Sequence, residues 1–258
     1  MSLYHEANIG VGWTENKALG PCRVPLPADG DHQSLMDFRG GRPARETDIF
    51  IAVMGVTGSG KSSFTSCCSR KEVKLGHRLE ACTAEVGVYA YDASPNRTIY
   101  LIDTAGFDDT NRTDGEVLRG IAQWLVRAYK GQILLKGIIY LHRITDTRMP
   151  GSARKNLLMF RHLCGEEALQ RVVPVTTMWD KLHLNVNEAA RREQELVNTP
   201  DPWKQMVEMG SFCRRHDNTV ESARNIVDRL ASYPHAIATD LQKQIVDQSM
   251  NLGETAAG

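Results

Sequence analysis

Apolar residues along this 258-residue chain follow two alternating rhythms. Ile49-Phe50-Ile51-Ala52-Val53-Met54 is an unbroken, β-branched apolar run closed by glycine, which predicts a strand buried on both faces. A helix is expected over Lys61 to Ser69. Val86 to Tyr91 and Thr98 to Ile102 read as strands flanking a Ser94-Pro95-Asn96 turn, hence an antiparallel hairpin. Asp114 is placed to cap a helix whose apolar positions Val117, Leu118, Ile121, Leu125 and Tyr129 recur at helical spacing. Leu134 to Leu141 is the next strand, followed by a helix over Ser152 to Gln170 and a strand over Val172 to Thr177. Asn187 to Val197 is a charged helix opened by an asparagine cap, and Trp203 to Met209 is a short one. Phe212 to Arg215 is the last strand expected, and Thr219 to Tyr233 a helix turning Val220, Ala223, Val227 and Leu230 inward. Strand and helix thus alternate from 48 to 233. That order predicts an α/β fold with a mostly parallel central sheet and helices on both faces.

Outside that stretch the rhythm fades. Residues 1–46 hold four of the ten prolines and six of the 21 glycines without a sustained apolar period, and read as an extended or partly ordered arm. The main domain is expected over 47–233, and 234–258 is a tail in which Ile237, Leu241 and Ile245 form a weak stripe for one more helix.

Charge and composition narrow the function classes. Lys plus Arg and Asp plus Glu both number 31, so the zero net charge argues against a globally basic nucleic-acid binder. The longest apolar runs, Ile49 to Val56 and Ile133 to Leu141, are about half the ~20 residues that cross a bilayer, and Lys136 interrupts the second, so no membrane span is expected. Met1 to Gly10 lacks the basic and apolar regions of a secretory leader. The six cysteines form no C-x-x-C pair, which fits reduced thiols and a cytoplasmic location.

The chemistry lies in motifs at the strand ends. Gly55-Val56-Thr57-Gly58-Ser59-Gly60-Lys61-Ser62 fits G-x-x-x-x-G-K-[ST] between a buried strand and a helix start. Glycines there let successive N–H groups, with Ser63 beginning the helix behind them, point at phosphate oxygens. Lys61 would bridge the β- and γ-phosphates, and Ser62 would ligate Mg²⁺. Asp103-Thr104-Ala105-Gly106 closes the strand ending at Ile102 and supplies a carboxylate for the metal shell and a glycine N–H for the γ-phosphate. Thr83, just before the strand at Val86, is the best-placed threonine to close over the metal.

Base selection points to Thr177-Met178-Trp179-Asp180, which keeps the threonine and aspartate of [NT]-K-x-D but has Met178 in place of lysine. Asp180 is expected to accept two hydrogen bonds from guanine. Trp179 either covers the base or belongs to the core. His216, Asp217 or Asn218 supplies a second base contact. The position after Gly106, where a water-orienting glutamine would stand, is Phe107, so intrinsic hydrolysis should be slow. Help is then expected from His142 or Arg143 after the 134–141 strand, with Arg143 acting across a dimer or forming only a surface ion pair.

The set Gly55 to Ser62, Asp103-Thr104-Ala105-Gly106-Phe107-Asp108-Asp109-Thr110 and His142-Arg143-Ile144-Thr145-Asp146 resembles the septin, chloroplast-import-receptor and immunity-associated GTPase group, and is closest to fungal G-domain-containing proteins. The resemblance covers about 48–232. It implies a Ras-like P-loop G domain that binds GTP or GDP with Mg²⁺, and a homodimer formed through the nucleotide face, with Arg143 near the interface. Three functions follow as expectations: a slow GTPase switch, a GTP-loaded assembly module with negligible hydrolysis, or, because Met178 replaces lysine, an ATPase or kinase.

Overall fold

The computed structural model describes residues 44–69, 72–73, 86–146, 151–181, 186–198 and 202–258. The expected arm, apart from its last three residues, and Thr83 lie outside the described residues.

Among the described residues, seven strands form one sheet in the order β2-β3-β4-β1-β5-β6-β7: β1 is Ile49–Gly55, β2 Glu72–Val73, β3 Gly87–Ser94, β4 Arg97–Asp103, β5 Leu135–Arg143, β6 Val172–Thr177 and β7 Arg214–Arg215. β1 pairs parallel with β4 and β5, β5 with β6, and β6 with β7, while β3 pairs antiparallel with β4 and β2 antiparallel with β3. The two-residue β2 is too short for any periodicity to announce. β7 is shorter than the predicted Phe212 to Arg215 strand, because only two of its residues reach β6.

The unbroken apolar run of β1 is divided between two cores by the period of two. Phe50, Ala52 and Met54 face one, with Tyr100, Ile102, Ile138 and Tyr140. Ile49, Ile51 and Val53 face the other, with Ile99, Leu101, Ile139 and Leu141. Helices α2 (Asp114–Lys130), α3 (Gly151–Leu169) and α5 (Pro202–Glu208) cover the first face; α1 (Lys61–Cys68) and α6 (Val220–Ala231) cover the second. Helix α4 (Val186–Asn198) is held by Arg192, whose guanidinium donates to the Ile144 and Thr145 carbonyls.

Local details differ from the sequence expectations for identifiable reasons. Thr113, not Asp114, caps α2: its hydroxyl accepts from the Glu116 N–H while the Glu116 carboxylate accepts from the Thr113 N–H, a reciprocal capping box. Helix α3 is broken at Gly165, whose φ of 74° departs from the helix where the Asp240 carboxylate would meet any side chain. The tail carries the expected helix only in part, over 240–247. It winds through a turn at Asp240–Gln242, a π-helical turn at Lys243–Asp247 and a 3-10 turn at Leu252–Glu254. It is fixed to β5 by the Ile237 N–H on the Leu135 carbonyl at 2.7 Å, and Leu241, Ile245 and Leu252 join the first core.

Candidate functional site

The parallel strands bring Gly55, Asp103, Arg143 and Thr177 to one edge of the sheet, where ligands bind in open α/β folds. The loop leaving β1 has φ of 145° at Gly55, 76° at Gly58 and 92° at Gly60, values that L side chains rarely adopt. A side chain on Gly55 would also run into the Leu141 carbonyl. The Phe64 N–H donates to the Gly60 carbonyl at 2.8 Å, so α1 starts directly behind the loop and its first N–H groups lie beyond the reach of the helical ladder.

Lys61 is 8% exposed, and its Nζ donates to the Gly55 and Val56 carbonyls at 3.3 and 3.0 Å. Burial pushes its pKa below the ordinary lysine value, against the opposing pull of Asp103 and Asp109. Ser62 Oγ donates to Asp103 Oδ2 at 2.8 Å. Burial raises the Asp103 pKa, while the Ser62 hydrogen bond and the Lys61 charge lower it. Asp103 Oδ1 is buried and has no hydrogen-bond partner among the described residues. A hard-cation site needs such a set: one hydroxyl, one carboxylate and a spare carboxylate oxygen. These residues fit Mg²⁺.

The D-x-x-G turn packs directly on the phosphate loop. Val56 and Phe107 form a parallel bridge, in which Thr57 N–H donates to the Phe107 carbonyl at 2.6 Å and Phe107 N–H to the Gly55 carbonyl at 3.3 Å. A Cβ on Gly106 would lie 2.6 Å from Lys61 Nζ. Phe107 is fully buried in the first core, so this position presents no side chain to a water nucleophile.

A second concavity adjoins the loop, lined by Gly60, Ser63, Thr177, Met178, Asp180, Lys181, His216 and Asn218. Thr177 ties it to the phosphate loop, its hydroxyl donating to the Ser59 carbonyl at 2.8 Å. Met178 adopts a φ of 63°, which turns the chain so that Asp180 and Lys181 reach the pocket. Lys181, one residue past the end of the [NT]-K-x-D pattern, joins the lining as well, a position the pattern does not mark. Trp179 does not line this pocket. Its indole N–H donates to the Thr176 carbonyl and hydroxyl at 3.2 and 3.0 Å, and the Arg215 guanidinium, paired with Glu193, lies 4.3 Å from its ring centre.

His142 and Arg143 point to opposite faces of β5. Contrary to the expectation of a residue at the nucleotide face, His142 is 4% exposed, with its ring edge-on to Trp203 at 5.6 Å. Burial depresses its pKa to about 4, so it is a neutral core residue. Arg143 does reach the loop: its Nη1 lies 3.2 Å from where a Cβ on Gly58 would sit, and its Nε donates to Asp146 at 3.1 Å. The guanidinium is therefore beside its own phosphate loop.

Comparison with known proteins places this geometry. Residues 50–157 match a family model described as a 50S ribosome-binding GTPase. Toc33 from Arabidopsis thaliana in complex with GDP and Mg²⁺ superposes with a TM-score of 0.57 at 16% identity, over 75% of this chain and 88% of that one. Toc33 with Mg²⁺ and GMPPNP gives 0.54 at 16%, over 74% and 87%. A structure described under the importance of dimerization for the GTPase activity of the chloroplast translocon components atToc33 and psToc159 gives 0.56 at 13%, over 73% and 85%. No curated protein matches the chain. The class that the fold defines is the P-loop α/β domain. Within it, the fold is the Ras-like G domain of GTPases.

Proposed function

We propose that this chain binds GTP with Mg²⁺ and hydrolyses it slowly to GDP and phosphate, as a nucleotide-controlled switch that dimerises through the nucleotide face. The observation that carries the reading is the convergence of Lys61, Ser62 and Asp103 under the glycine loop, with Asp103 Oδ1 buried and unpartnered among the described residues. Ser62 and Asp103 would hold the metal, which when bound neutralises charge across the β- and γ-phosphates. Lys61 would exchange its two loop carbonyls for phosphate oxygens, and the Gly106 backbone would meet the γ-phosphate. Asp180, exposed on the rim of the second pocket, would accept the N1–H and the 2-amino group of guanine, with the Lys181 and Met178 stems against the base. Thr83 would be the threonine that closes over the metal.

Phe107 buries the position from which a polar side chain would orient water, and this supports slow turnover by the isolated chain. Arg143, beside Gly58, is the cation placed to offset charge on the phosphates, in its own site or in that of a facing copy. The Toc33 neighbours, one of them a dimerization-deficient mutant, support the dimer, and the motif residues support kinship with the septin-like and fungal G-domain groups. Turnover per molecule should rise with protein concentration and fall in Arg143→Ala. A rate independent of concentration, in a chain that stays monomeric with a triphosphate analogue, would reject the dimer. The burial of Phe107 also favours a second reading, a GTP-loaded assembly module, for which dimerisation persists while phosphate release is negligible.

A further inference from the structure

The base-selecting pattern lacks its cation in this chain, and the structure puts another cation next to the vacant place. Met178 stands where [NT]-K-x-D has lysine. Its side chain reaches the loop after β5, where the Thr145 hydroxyl donates to Met178 Sδ at 3.9 Å. The same loop begins at Arg143, whose Nη1 lies 3.2 Å from where a Cβ on Gly58 would sit. Arg143 therefore stands between the phosphate loop and the turn that carries Met178 and Asp180. The frame around it is tied on every side. Ile144 N–H donates to the Thr177 carbonyl at 3.1 Å, the Thr177 hydroxyl to the Ser59 carbonyl at 2.8 Å, and Arg192 of α4 to the Ile144 and Thr145 carbonyls at 3.2 Å each.

Resting on the guanine-nucleotide reading above, we propose that Arg143 replaces the missing lysine, bracing the phosphate loop against the base turn and adding to the affinity for GTP and GDP alike. The Arg143 side chain is 32% exposed, and its Nε donates to Asp146 Oδ2 at 3.1 Å, a carboxylate only 19% exposed. A guanidinium has a planar fork of donors, so binding Nε to Asp146 fixes the plane and leaves the terminal nitrogens for the loop. Asp146 is thus a positioning residue. Gly58 belongs to the loop that would receive the phosphates of either nucleotide, so the interaction strengthens binding uniformly. It is separate from any charge that Arg143 lends to the transition state, which acts on turnover at saturating GTP. Lys181 is the competing cation, because it is exposed and lines the second pocket with Gly60.

Equilibrium titration of GTP and GDP on the full chain and its variants tests the assignment. R143A should weaken both nucleotides by the same factor, about tenfold for one lost charge-assisted contact. M178K should recover most of that loss in the R143A background and add little to wild type, where the place is already filled, so the two changes couple in a double-mutant cycle. D146A should reproduce part of the R143A loss and cause none when Arg143 is already absent. M178K should restore nothing in K181A. Undiminished GDP affinity in R143A overturns the proposal, as does an equal gain from M178K in both backgrounds or its rescue of K181A in place of R143A. Turnover that falls in R143A at saturating GTP while GDP affinity holds leaves Arg143 only its transition-state role. A wild type that binds neither GTP nor GDP removes the underlying nucleotide reading instead.

Discussion

Replacing Gly106 by alanine probes the contact on which the site geometry turns. The added Cβ would lie 2.6 Å from Lys61 Nζ, 2.6 Å from Thr57 Oγ1 and 2.7 Å from Thr57 N, each well inside ordinary van der Waals contact. None of these neighbours withdraws freely. Lys61 Nζ is held by the Gly55 and Val56 carbonyls, and Thr57 N–H is bonded to the Phe107 carbonyl. The D-x-x-G turn must therefore move off the phosphate loop by most of an ångström. An overpacked contact of this kind costs about 1–3 kcal/mol. For a domain of this size each kcal/mol lowers the melting temperature by roughly 2–4 °C. Calorimetry on the ligand-free variant should find a decrease in that range. Because the Gly106 backbone is assigned to the γ-phosphate, the variant should lose roughly tenfold in GTP-analogue affinity, the equivalent of about 1.4 kcal/mol, and much less in GDP affinity. Unchanged melting together with an unchanged ratio of triphosphate to diphosphate affinity would refute the packing argument.

Two further substitutions test the fold. Gly137→Ala would place a Cβ 2.5 Å from Leu230 Cδ2 and 2.8 Å from the Arg171 carbonyl, so thermal unfolding should show a loss of about 1–3 kcal/mol without altered nucleotide selectivity. Acid stability should depend on His142. Its folded pKa of about 4 lies below its ordinary 6.5, so the unfolded chain binds more protons between these values, and stability present above pH 6.5 is lost as pH falls toward 4. That loss is on the order of 3 kcal/mol, read as the difference in pH dependence between wild type and His142→Phe by denaturant titration. An identical slope in both proteins would show that the imidazole is not buried as neutral.

Much of this architecture is legible in the residues because each signal has a local cause. A strand buried on both faces must be apolar throughout, so Ile49 to Met54 declares itself, and the positive φ values of Gly55, Gly58 and Gly60 require the glycines that make the phosphate loop recognisable. The capping box at Thr113 and Glu116 was equally present in T-x-x-E, but the neighbouring aspartate competes for the same role. His142 shows what motif reading omits. Along β5, Ile138, Tyr140 and His142 share one face and Leu141 and Arg143 the other, so strand parity alone sends the histidine into the core and the arginine toward the loop. The break at Gly165 depends on Asp240, far along the chain, and no local pattern announces it. Lys181 reaches the second pocket only because Met178 takes a left-handed turn that residue type does not disclose.

In the proposed reading the loop closed by Lys61 over Ser62 and Asp103 holds the phosphates and Mg²⁺, and the pocket with Asp180 selects guanine. Equilibrium titration of GTP and ATP, with and without Mg²⁺, on wild type and Lys61→Ala measures it most directly. GTP should bind more tightly than ATP, with an affinity that drops when Mg²⁺ is removed, and Lys61→Ala should show no measurable triphosphate binding. Full GTP affinity retained by Lys61→Ala would contradict it.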